Sequence, residues 1–197
     1  MQKLFSFFII GSIIFLNSCN SKSKSDFSSK HAEETQSFFP VTDFFKGQLR
    51  VIDSMPVTLL KTVTVSNKTD SAWLKRESIR SFAEPFLTPV IDSTTMSPWF
   101  SEKSFMDQTI NAVTISYDSK IKLPDSIKLR HWDVYIDPQK GSVERIYIVK
   151  ENNENSSQVT TQLTWKANQW CSIRTIKQKP GQEPEIKEEK LTWDFNN

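Results

Sequence analysis

The chain has 197 residues, 37% of them hydrophobic and 24% charged, which bounds it at one domain with a tail. Lys plus Arg number 25 against 23 Asp plus Glu, so the net charge is only +2, which excludes a strongly basic nucleic-acid binder and a charge-driven disordered chain. Four glycines with no Gly-x-Gly-x-x-Gly or Walker-type run argue against a phosphate-cradling loop, and two histidines with two cysteines exclude most protein-only metal clusters, so no cofactor is expected.

The first segment reads as an address. Lys3 is followed by an apolar run over residues 4–16 with no polar face. That run is shorter than the roughly 20 residues needed to span a bilayer and fits the apolar region of a secretory signal. It ends in Leu16-Asn17-Ser18-Cys19. This resembles the lipobox of bacterial lipoprotein signals: an aliphatic residue, a small residue before the cut, then cysteine. The resemblance implies that residues 1–18 are removed and that Cys19 is acylated on sulfur and amine. Two or three acyl chains anchor stably where one does not. Asn20 stands where aspartate would favour inner-membrane retention, so the resemblance implies the outer membrane. With no acidic cluster after Cys19, the periplasmic side is expected rather than the surface.

Residues 19–37 are rich in Ser, Lys, Glu and Gln and read as a solvated tether, with His31 a linker residue. Residues 38–197 then form one domain. Thr42 or Asp43 can cap a short helix running to about Asp53, with Phe45, Leu49 and Ile52 as its buried stripe. Residues 57–66 read as a strand and 67–71 as a turn. An amphipathic helix is expected over 74–86, with Leu74, Ile79, Phe82, Ala83 and Phe86 towards one side and Pro85 and Pro89 ending it. Residues 88–104 look irregular, with one helical turn starting at Pro98 and Trp99.

After Phe105 the period changes to 2. Val113, Ile115 and Tyr117 alternate with polar residues, as do Trp132, Val134 and Ile136. Asp137-Pro138-Gln139-Lys140-Gly141 predicts a hairpin turn into a strand over 143–150. Pairing Val134 with Ile146 and Trp132 with Ile148 keeps one apolar face. After a polar loop at 151–157, strands at 159–166 and 170–177 pair with Trp165 opposite Cys171 and Leu163 opposite Ile173. Leu191, Trp193 and Phe195 make a last strand. The repeated Leu-Thr-Trp at 163–165 and 191–193 reads as two strands feeding one core layer. The expected fold class is α+β: N-terminal helices packed on a five- to seven-stranded antiparallel meander.

Few residues suggest chemistry. Cys171 with His131 could form a nucleophile–base pair, but Cys171 alternates into the apolar face, where free cysteine behaves as a small hydrophobe. His131, Asp133, Tyr135 and Asp137 share one strand side and could ligate a cation, yet a solvated strand face is the simpler reading, so no metal is expected. Asp92, Asp107, Asp118, Asp125 and Asp133 single out no carboxylate pair, and no Gly-x-Ser-x-Gly elbow occurs. The remaining feature is a sheet face bearing His131, Asp133, Tyr135, Arg145 and Tyr147. In the favoured register Asp133 opposes Tyr147, and Tyr135 opposes Arg145. Such a face could contact a protein, glycan or lipid partner.

Residues 39–45, with Leu163-Thr164-Trp165-Lys166-Ala167-Asn168 and Gln178-Lys179-Pro180-Gly181-Gln182, give a chain that resembles small uncharacterised lipoproteins of Gram-negative bacteria. The resemblance implies location and no activity. The expected function is a membrane-anchored, non-catalytic binding module. The alternatives are a hydrolase of envelope polymers and a lipid carrier with an apolar cavity under its sheet.

Overall fold

The computed structural model describes residues 38–154 and 156–194. The expected signal segment, Cys19, the tether with His31, and Phe195 lie outside the described residues.

The helical stripe at the start folds as its spacing requires. Helix α1, Val41–Ser54, buries Val41, Thr42, Phe45, Leu49 and Ile52, spaced for one face. It begins before the expected cap. Pro40 stands at the N-cap position, and Thr42 is instead buried, with its Oγ1 accepting from Ile91 N at 2.8 Å. Asp43 pairs with Lys46 at 3.0 Å.

The next stretch differs from expectation. Strand β1, Leu59–Val65, turns at Ser66 and Asn67, both at positive φ (47° and 66°), straight into β2, Lys68–Leu74. Positive φ at both central positions marks the tight turn that suits hairpin twist. Leu74 therefore belongs to a strand, and the helix expected over 74–86 is shorter: α2, Ser78–Leu87. Pro85 sits inside its last turn rather than ending it. The helical turn expected at Pro98 forms earlier, as α3, Ser93–Met96. Asp92 caps it by accepting from Thr95 N at 2.8 Å.

Residues expected to be irregular then enter the sheet as β3, Phe100–Asp107, followed by β4, Ala112–Ser119, and β5, Leu129–Ile136. Next come β6, Val143–Glu154, and β7, Ser157–Lys166, which extend into the expected polar loop. The last two strands are β8, Trp170–Gln178, and β9, Glu185–Thr192. The sheet has nine strands in the order β2-β1-β9-β8-β7-β6-β5-β4-β3. Its neighbours are all antiparallel.

This overturns the expected α+β architecture. Among the described residues the protein is mostly one nine-stranded antiparallel sheet with three short helices, not N-terminal helices on five to seven strands. The first hairpin separates α1 from α2. It also joins the sheet through β9, so the sheet is not a simple meander. The physical reason is that both additional edge strands are largely solvent-facing, and so carry no alternating burial signal.

The central register is as expected. Trp132 pairs with Ile148, Val134 with Ile146, Leu163 with Ile173 and Trp165 with Cys171. One face therefore carries the core. Trp165 meets Phe45 and Phe86, each at 5.2 Å between ring centroids, and Trp193 at 5.5 Å. The two Leu-Thr-Trp segments thus do feed one layer: Leu163, Trp165, Leu191 and Trp193 are all buried together. A second ring cluster forms where Trp132 stacks on Tyr117 at 4.5 Å and meets Phe100 at 4.7 Å. Helix α1 is tied to the β7–β8 turn through Gln48, whose Oε1 accepts from Asn168 N at 2.8 Å and from Trp165 Nε1 at 3.4 Å. The described helices contribute to this core, which leaves the opposite sheet face without a described helix over it.

Candidate site on the open sheet face

Period 2 sends His131, Asp133 and Tyr135 of β5 to the face opposite Trp132 and Val134. Cross-strand pairing then supplies their neighbours. Strand β4 places Asp118 beside His131, Ser116 beside Asp133 and Thr114 beside Tyr135. Strand β6 places Tyr147 beside Asp133 and Arg145 beside Tyr135. The five expected residues therefore do share one surface.

At its centre is a small polar network. His131 Nδ1 lies 2.9 Å from Asp118 Oδ1, and its Nε2 lies 3.0 Å from Asp133 Oδ2. The other Asp133 oxygen accepts from Ser116 Oγ, and Tyr135 OH donates to Asp133 Oδ2 at 3.2 Å. A neutral imidazole has only one N–H, so it would turn a lone pair towards one of the carboxylates. Two carboxylates therefore select the imidazolium.

The titration behaviour follows from this geometry. The hydrogen bond to Asp133 raises the His131 pKa above its usual 6.5. Burial opposes the rise, while the Asp133 charge and Asp118 add to it. Burial alone would raise the Asp133 carboxyl, but the bonds from His131, Ser116 and Tyr135, with the imidazolium charge, hold it below 3.8. Burial and the adjacent Asp133 charge push Tyr135 up to about 12, with Arg145 opposing. Tyr147 is raised for the same first two reasons, against Arg174.

Around the network the face carries aromatic and basic side chains, with Glu188 opposite Arg174. The Arg145 guanidinium lies over the Tyr135 ring at 4.1 Å, and Lys190 Nζ over the Trp170 ring at 4.5 Å. Trp170 and Lys190 were not singled out by sequence reasoning. They join the site because β8 and β9 present them on the same face, a placement that only the full pairing reveals.

The other candidates are not brought here. Cys171 is fully buried on the core face, away from the face that carries His131, and burial pushes its thiol well up. The two do not form a nucleophile–base pair. Asp137 is engaged in its own turn, accepting from Gln139 N and Lys140 N at 2.8 and 3.1 Å. Asp92 caps α3, and Asp107 accepts from Thr109 N at 3.0 Å. Among the described residues no cluster of three or more His, Cys, Asp or Glu is arranged to hold a metal ion.

With both ring nitrogens occupied and both carboxylates engaged, the network can order side chains and hold charge. It offers no free base aimed at a substrate. No protein-family model matches the chain, and neither a curated protein nor a solved structure matches it.

Proposed function

We propose that the chain is a lipid-anchored envelope lipoprotein, held at the periplasmic side of the outer membrane through acyl chains on Cys19. In this reading its folded unit is a non-catalytic binding module, and the working surface is the open sheet face. The carrying observation is that this face presents half-buried aromatic and cationic side chains with no described helix over them. Rings and guanidinium groups of this kind dominate recognition surfaces.

The same observations favour binding over the alternatives. His131 lacks the free nitrogen that a hydrolytic base needs. The space behind Trp165, where a carrier would shelter a lipid, is filled by Phe45, Phe86 and Trp193.

The test is affinity capture with the mature, acylated protein from envelopes, beside a variant carrying Tyr147→Ser and Arg145→Ser. A partner recovered by the first and lost by the second supports the reading. Identical recoveries would refute it. Anchoring is checked separately by the acyl mass on Cys19 and by release of the Cys19→Ser protein from membranes. A Cys19→Ser protein that is processed and fractionates as wild type would overturn the anchor.

A further inference from the structure

We infer that the open face binds an extended acidic glycan: a sugar polymer carrying a carboxylate or phosphate along its length, laid across the strands. The inference rests on the proposed binding role and gives it a ligand class.

The argument starts from register. Tyr135 pairs with Arg145, Arg145 with Lys166, and Lys166 with Trp170, on four consecutive strands. Lys190 reaches the Trp170 ring from the next strand. A line runs perpendicular to the strands, with rings at Tyr135 and Trp170 and three cations between and beyond them. Neighbouring strands are about 4.8 Å apart, so the three steps from Tyr135 to Trp170 span about 14 Å. A site for one phosphate or one carboxylate would converge on a point. This arrangement is drawn out along a line, with positive charge at successive steps.

The charge is only partly compensated. Lys166 pairs with Glu144 at 3.9 Å, whereas among the described residues Arg145 and Lys190 form no ion pair with a carboxylate. Asp133, the acidic residue nearest Tyr135, is spent on His131, Ser116 and Tyr135. Arg174 faces Glu188 across the strands and is not counted in the line. The cation–ring contacts fix Arg145 and Lys190 in place before any ligand arrives, which lowers the ordering cost of binding.

A pyranose chain bearing anionic groups at intervals is a narrow ribbon that can meet these cations strand by strand, with its hydroxyls beside the flanking side chains. A bilayer surface suits this face less well. Its cations are half-buried rather than protruding, and a narrow ribbon reaches them where a broad headgroup plane does not.

The test uses the full mature, acylated protein in detergent micelles and measures binding to polygalacturonate by titration calorimetry. The comparison probes are its methyl-esterified form and phosphatidylglycerol vesicles. Binding to the acid polymer, weakened by added salt and abolished by esterification, is expected. Arg145→Ser, Lys190→Ser and Trp170→Ser should each weaken it by about tenfold, while Lys46→Ser, on α1, should not. Circular dichroism checks that each variant is folded. Should a variant fail to fold, esterification and salt decide alone.

Equal binding of the esterified polymer, or binding indifferent to the three substitutions in folded protein, would overturn the inference. So would vesicles that bind as tightly as the polymer through the same residues. If no polymer binds, the acidic-glycan assignment falls, while partner capture that still depends on Tyr147 and Arg145 would leave the binding role standing.

Discussion

Replacing Asp133 by Asn tests the polar network directly. Asp133 is 8% exposed and takes donors from Ser116, His131 and Tyr135. Asparagine keeps the shape but loses the charge and exchanges one acceptor oxygen for an amide donor. Hydrogen bonds to a charged group contribute about 1.5–3 kcal/mol each, and the partial exposure of His131 reduces that. A net loss of about 2 kcal/mol is expected at pH 5.5. The sign with pH follows from the shifts. The lowered Asp133 pKa adds stability above 3.8 that is lost as pH falls through its folded value. The raised His131 pKa adds stability that is complete below 6.5 and lost as pH rises through its folded value. The network therefore contributes most between these two ordinary values. Urea denaturation at pH 5.5 and 8.5, with an NMR titration of the His131 ring, provides the assay. Asp133→Asn should narrow the stability difference between the two pH values and move His131 down, because the amide can donate to a neutral ring. A wild-type His131 titrating at or below 6.5, with both proteins equally stable at both pH values, would refute the reasoning.

Three further outcomes follow from the core and its turns. Phe45→Ala removes a fully buried ring that touches Phe86 and Trp165, and should cost about 3–5 kcal/mol in urea denaturation. Gln48→Leu leaves Asn168 N and the Trp165 indole without their acceptor, and should cost about 1–2 kcal/mol, read as a lower Tm. Changing Ser66 to Asn together with Asn67 to Gly suits the two positive-φ positions of the β1–β2 turn and should stabilise by about 1 kcal/mol, again read as Tm.

The sheet's middle was legible because each of its strands buries one face. Trp132, Val134, Ile146, Ile148, Leu163, Trp165 and Cys171 alternate cleanly, and keeping them together fixes the register. The edges were not legible. Strand β2 exposes nearly every residue, and β3 buries only Phe100, so neither carries a period that could be read. Ile79 and Phe82 follow Leu74 at a spacing that suits a helix, but its pairing with Leu59 places it in a strand. At the site, His131, Asp133 and Tyr135 could be grouped from alternation within one strand. Asp118 and Ser116 complete the network only through the β4–β5 register. Trp170 has nothing in its own strand to mark it, and only its pairing with Lys166 of β7 brings it to the site.

Pairing between β1 and β9 brings Leu60 against Thr192, near opposite ends of the folded unit. Contacts so distant along the chain carry a large loop-closure cost, which is reduced once the strands between them have paired. The β1–β2 hairpin therefore keeps one unmated edge until β9 has been made. Truncation before Glu185 would leave both β1 and β8 with raw edges, the condition that invites strand exchange and aggregation.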